Sequence, residues 1–78
     1  MSDWADEVAS AEAEAERLQA AEGEAEQKCY EVQARAEAAG DRNQALKSRE
    51  FAAWMSARHA TDEAWGAWSM AMDAKPAG

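Results

Sequence analysis

At the middle of this 78-residue chain lies the sequence AEAAGDRNQ, residues 36–44. Gly40 is typical of a residue that ends a helix, and Asp41 with Gln44 three places on matches a capping box that opens another helix. A connection this short makes the two flanking helices antiparallel neighbours. The sequence therefore predicts an all-α fold, a two-helix hairpin in one domain, residues 1–78, with its turn at residues 40–41.

The first helix is predicted over residues 3–39, with Ser2 as its N-cap. Apolar or small side chains recur in alternating steps of four and three, as in the a/d positions of a coiled coil. Glu22 is the one charged residue of this seam. The ten seam positions are Trp4, Val8, Ala11, Ala15, Leu18, Glu22, Ala25, Cys29, Val32 and Ala36.

The second helix is predicted over residues 42–74, followed by a short tail at residues 75–78, because Pro76 forbids continuation. It carries a smooth face, expected to pack on the first helix, and a bulky stripe beside it. The smooth face comprises Leu46, Glu50, Ala53, Ala57, Ala60, Ala64, Ala67 and Ala71. The bulky stripe comprises Phe51, Trp54, Trp65, Trp68 and Met72, interrupted by Arg58 and Thr61.

These two stripes together form an apolar arc wider than one neighbouring helix would cover. Alanine supplies 22 of the 37 hydrophobic residues, so the core of a single copy is thin. We therefore expect a homodimer, with two hairpins forming a four-helix bundle. The residues expected in the core or at the dimer interface are Leu18, Val32, Leu46, Phe51 and Trp54.

Alternatively, the large side chains at the open end of the hairpin bind another protein. Tryptophan is prominent in binding hot spots, so the end can anchor another protein. The residues expected to bind such a partner are Trp4, Trp65, Trp68 and Met72.

Negative charge is concentrated in the first half of the chain. The net charge is −8, and residues 1–40 contain 11 acidic side chains against three basic ones. One interpretation is a solvated helix surface, and another is a surface that imitates nucleic-acid phosphates. Direct binding to nucleic acid or to an anionic membrane is disfavoured by repulsion.

Catalytic and metal sites are not expected. Cys29 and His59 are the only residues of their types, which excludes an internal disulfide and zinc-type ligand spacing, and no nucleophilic triad or phosphate-binding loop is present. No enzyme activity or cofactor is predicted. Cys29 is expected to be a buried small side chain and His59 a surface residue. Because no membrane span and no basic leader are evident, we expect a cytoplasmic protein.

The small size, the acidity, the turn at Gly40-Asp41-Arg42 and the stripe of Trp54, Trp65 and Trp68 together resemble small helical proteins of temperate phages that inhibit host proteins. Among these, the anti-quorum-sensing proteins of Pseudomonas phages form helical-hairpin dimers. The resemblance covers the whole chain in outline and transfers no individual residue. It implies stoichiometric binding to a protein in the host cytoplasm, by an inhibitor or adaptor. The alternatives are an acidic, nucleic-acid-mimicking anti-defence protein of the anti-CRISPR kind and a structural coiled-coil subunit.

Overall fold

The computed structural model describes residues 3–76 and contains three helices within that range. They are α1, Trp4–Ala38; α2, Asn43–Leu46; and α3, Arg49–Asp73. The long helices α1 and α3 pack side by side into a rod of 62 × 14 × 14 Å, with α2 at the turn. The predicted all-helical hairpin is confirmed.

The start of α1 is capped by Asp3. Its side-chain oxygen Oδ1 accepts a hydrogen bond from the backbone N–H of Asp6 at 2.9 Å. Asp6 and Glu7 add negative charge in the first turn, where the helix dipole favours it. Ser2, the predicted cap, lies outside the described residues, and the capping bond belongs to the residue that follows it.

The end of α1 is a Schellman motif. Gly40 adopts a φ of +80°, a conformation that glycine reaches without steric cost. The N–H of Gly40 bonds to the carbonyl of Glu37 at 3.0 Å, and the N–H of Asp41 bonds to that of Ala36 at 2.9 Å. The helix end predicted at Gly40 is thus present with both of the hydrogen bonds that define the motif.

The second predicted helix is broken, which corrects the single span of residues 42–74. No side chain caps α2, and Gln44 N–H bonds to the backbone carbonyl of Asp41 at 3.3 Å, so the expected capping box is not formed. The break comes at Ser48, whose hydroxyl donates to the Ala45 carbonyl at 2.6 Å and accepts from the Phe51 N–H at 3.1 Å. This hydroxyl ends α2 and caps α3 at once, competing with continuous helix.

The seam of α1 agrees with the sequence pattern. All ten predicted positions are buried or half-buried, and Ala15 is 0% exposed. Cys29 is buried as a small hydrophobic residue, as predicted. Since the pattern holds from Trp4 to Ala36, α1 keeps one side against α3 and, near the turn, against α2.

The inward face of α3 lies between the two predicted stripes, so the predicted smooth face is present only in part. Its half-buried positions are Glu50, Ala57, Ala60, Ala64 and Ala71. Ala53, Ala67 and Leu46 are exposed, whereas Thr61 is buried, with its hydroxyl donating to the Ala57 carbonyl at 2.9 Å. Indole rings bury far more apolar area than methyl groups, which favours a rotation of the helix that brings them inward. The observed seam of α3 is Glu50, Trp54, Ala57, Thr61, Ala64, Trp68 and Ala71.

Replacing Glu22 by leucine is expected to stabilise the protein by about 1 kcal/mol, because a half-buried carboxylate on an apolar seam gives way to apolar area. Urea denaturation at neutral pH measures the change. Glu16→Leu is the matched control, since Glu16 is exposed on the same helix and its replacement should leave stability nearly unchanged. A lower unfolding midpoint for Glu22→Leu would contradict this reading of the seam.

Candidate interaction surfaces

The hairpin has two flanks, one on each side of the seam, and they differ sharply in side-chain size. Residues of α3 that recur every seven places line each flank, because that spacing keeps them at one position relative to α1. One flank carries Phe51, Arg58, Trp65 and Met72, and the other carries Ala53, Ala60, Ala67 and Ala74.

The grooves between the helices confirm that these are opposite sides. One groove is lined by Ala21, Lys28 and Ala53 among others, and a different groove by Leu46 and Phe51. We call the first side the alanine flank, comprising Ala21, Ala53, Ala60, Ala67 and Ala74. We call the second side the aromatic flank, comprising Tyr30, Leu46, Phe51, Trp65 and Met72.

An aromatic cluster occupies the aromatic flank near the turn. The ring of Trp54 meets Tyr30 edge to face at a centroid distance of 5.8 Å and Phe51 at 6.4 Å. The guanidinium of Arg58 lies 5.8 Å from the Trp54 ring centroid. Arg58 therefore does not interrupt the stripe, as its charge suggested, but covers one of its rings. Leu46 and Tyr30 remain 61% and 48% exposed at the edge of this cluster.

Tyr30 lies one turn after Glu26 on α1. The Glu26 carboxylate raises the pKa of the Tyr30 hydroxyl, first by hydrogen bonding to the protonated phenol and then through its negative charge. The exposed Tyr30 side chain combines a polar hydroxyl with an apolar ring, the combination that favours tyrosine at protein interfaces.

The open end brings the start of α1 and the end of α3 together. Trp4 donates from its indole Nε1 to the carbonyl of Ala71 at 2.7 Å, and the Lys75 ammonium lies 5.6 Å from the Trp4 ring centroid. Trp4 therefore lies beside the last turns of α3, where the hairpin geometry predicted it. Met72 on the same end is 40% exposed.

Trp65 and Trp68 differ in position although their rings meet edge to face at 5.5 Å. Trp65 lies on the aromatic flank and donates to Gln19 Oε1 across the helices at 3.1 Å. Trp68 lies on the seam, and its indole nitrogen is shielded from solvent without a hydrogen-bond partner within residues 3–76, as is that of Trp54. The four predicted partner-binding residues are thus at one end, with Trp65 on the flank and Trp68 between the helices.

Met70 was not singled out by the sequence pattern, yet it is 74% exposed, more than the other large hydrophobic side chains of the described residues. It follows Ala67 by three places and precedes Ala74 by four, so it borders the alanine flank. The signal that identifies it is an apolar side chain outside both predicted stripes of the second helix.

Charge varies strongly along the rod. Residues 3–26 contain nine acidic side chains and one basic side chain, whereas residues 28–50 contain five basic and four acidic ones. Arg17 in the acidic part binds Glu14 through its Nε at 3.0 Å from Oε2. This hydrogen bond, together with the charge of Arg17, lowers the pKa of the Glu14 carboxyl, so the pair is ionised at neutral pH.

Within residues 3–76 no group of three or more histidine, cysteine or acidic side chains could hold a metal ion, and no helix has the length and apolarity to span a membrane. His59 is on the surface, as predicted, with Nε2 2.9 Å from Glu63 Oε1. No protein-family model, curated protein or solved structure matches this chain.

Proposed function

We propose that this chain is a small acidic protein-binding module, a dimeric inhibitor or adaptor of the cytoplasm that engages another protein through its aromatic flank. The observation that carries the proposal is the contrast between the flanks. Tyr30, Leu46 and Met72 remain 40–61% exposed on one side of the rod, beside the rings of Phe51 and Trp65. Exposed apolar side chains on one side of a small protein are typical of protein interaction sites.

The outline of the hairpin supports the same proposal. Its acidity, its helices and its row of tryptophans resemble the phage-encoded hairpin inhibitors, which act by stoichiometric binding. An interaction module needs rigid anchors, and the aromatic side chains here are fixed by ring packing and by the Trp65 to Gln19 hydrogen bond. A partner would therefore meet a largely preformed surface.

The solvent-accessible surface area of the chain supports the proposal that the protein is a dimer. The chain exposes 5844 Å². A globular monomer of this mass exposes about 4,700 Å². The excess, about 1,100 Å², is larger than the roughly 800 Å² that each partner buries in a standard protein interface. We therefore propose that the working form contains two copies, with a mass of about twice 8.5 kDa.

The chain offers a matched pair of methionines for testing the aromatic flank. Met72→Gln, on the aromatic flank, is expected to weaken binding to a protein captured from a host lysate by about tenfold, because a polar amide replaces an apolar contact. Met70→Gln, which borders the alanine flank, should leave that affinity unchanged. Calorimetry with the purified captured protein measures both variants, and equal affinities for wild type and Met72→Gln would exclude this end of the flank from the contact.

A phosphate-mimicking function is the second candidate. It is favoured by the run of nine acidic side chains against one basic side chain over residues 3–26, on a rod only 14 Å wide. The salt dependence of partner binding distinguishes the two candidate functions. Binding through aromatic anchors should survive a rise from 50 to about 300 mM salt, whereas binding through mimicked phosphates should weaken steeply as ions screen the charges.

A further inference from the structure

Five residues of α1 form a column beside the alanine flank, each seven places after the last. They are Glu7, Glu14, Ala21, Lys28 and Arg35. Two acidic residues precede the central alanine and two basic residues follow it at the same distances. The column is therefore complementary to itself when it is reversed end to end.

The structure places this column on the alanine flank. Ala21 and Lys28 line the same groove as Ala53, and Arg35 lines the adjoining groove towards the turn, which shares Arg49 and Glu50 with the first. The acidic half, Glu7 and Glu14, follows by the seven-residue repeat, which holds because the α1 seam is shielded along its whole length. All five residues of the column are exposed.

The charges of the column are poorly paired inside the hairpin. Across residues 3–76, neither Glu7 nor Lys28 nor Arg35 forms an ion pair within 4.0 Å, and Glu14 pairs only with Arg17 at the surface. Beyond Arg49 and Glu50, which line these grooves at the start of α3, the α3 side chains that recur on this flank are alanines, which permit the close approach of another helix.

We propose that a second copy of this chain docks on the alanine flank, with its α1 antiparallel to the first α1 and the twofold axis passing at Ala21. In this register residue i of one copy is level with residue 42 − i of the other. Glu7 then faces Arg35 of the second copy, and Glu14 faces Lys28 of the second copy. The symmetry repeats both pairs, giving four ion pairs across an isologous interface.

The reverse orientation is disfavoured by the same column. Parallel α1 helices would place Glu7 against its own copy and Arg35 against its own copy, so that like charges meet at four positions. The antiparallel dimer also places the alanine flanks of the two copies face to face. In this arrangement the dimer interface lies opposite the aromatic flank. The aromatic flank therefore stays accessible to another protein.

Charge reversal provides the test. The column becomes entirely basic in the variant Glu7→Arg/Glu14→Lys and entirely acidic in the variant Lys28→Glu/Arg35→Glu. Each variant alone is expected to lose self-association, with its dimer dissociation constant raised on the order of 100-fold at low salt. An equimolar mixture should form heterodimers, because all four ion pairs are then restored, two with the wild-type polarity and two with reversed polarity. The variant with all four changes keeps the net charge of −8 and should dimerise as the wild type does.

Sedimentation equilibrium measures the masses, and circular dichroism establishes that each variant is helical. Recovery of the dimer on mixing supports the proposal. Dimers that persist in both single-polarity variants, a mixture that stays monomeric, or a wild-type monomer at micromolar concentration would each overturn it.

A cysteine on the proposed axis gives a second measurement. In a Cys29→Ala background, Ala21→Cys should form a disulfide-linked dimer on mild oxidation, because the two sulfurs meet across the axis. Ala20→Cys, one residue away on the outer face of α1, should not. A crosslink at position 20 and none at 21 would contradict the register. These measurements involve no other protein, so they fail or succeed independently of partner binding through the aromatic flank.

Discussion

Replacing Ala15 by aspartate is expected to unfold the hairpin at neutral pH. Ala15 is 0% exposed and lies on the α1 seam, where α3 packs directly against it. A carboxylate there would be buried without a partner, which costs about 3 kcal/mol or more. For a chain of this size that is most of the available stability. Thermal unfolding followed by circular dichroism measures the loss.

Ala13→Asp is the matched control, since it introduces the same charge two residues away at an exposed position of the same helix. Its melting temperature should stay within a few degrees of the wild type. If Ala13→Asp and Ala15→Asp were equally stable, α1 would not present its a/d seam to α3, and the assignment of both flanks would be wrong.

Replacing Trp68 and Trp65 singly by alanine is expected to separate folding from binding. Trp68 lies between the helices with its indole nitrogen shielded, so Trp68→Ala should cost about 3 kcal/mol of unfolding free energy. Trp65 lies on the aromatic flank, so Trp65→Ala should lower stability by only about 1 kcal/mol while weakening partner binding by about 2 kcal/mol.

Urea denaturation and calorimetry on the two variants provide the two readouts. Trp65→Phe refines the result, because it keeps an aromatic ring beside Trp68 but removes the hydrogen bond to Gln19 along with part of the ring area. Trp65→Ala with unchanged partner affinity would move the binding site elsewhere. Equal stability losses for both alanine variants would mean that Trp65 also belongs to the core.

The hairpin and the α1 seam were predictable from sequence because each depends on local chemistry. Gly40 ends α1 through its positive φ, a property of glycine itself, and the alternating steps of four and three locate the buried side without reference to α3. The break at Ser48 was harder. Serine stabilises a helix start but is also tolerated inside helices, so its role depends on whether the Ala45 carbonyl lies within reach.

The face that α3 presents to α1 was not predictable from periodicity alone. Alanine and tryptophan occupy adjoining stripes, and either could pack inward on helical spacing. The outcome depends on total buried area and on a polar residue, Thr61, whose hydroxyl is satisfied by its own helix at Ala57. The predicted binding residues were brought to one end by topology, but only the side chains distinguish Trp65 on the flank from Trp68 on the seam.

The hydrogen bond from Trp4 to Ala71 spans 67 residues of sequence, whereas contacts at the Gly40 turn are nearly local. Contacts between α1 and α3 therefore grow steadily more distant in sequence from the turn to the open end, and each addition extends a loop that is already closed. We expect such a hairpin to fold from the turn outward and to unfold from the open end inward. We therefore expect transient opening to begin at the open end, while the turn holds the register of the two helices.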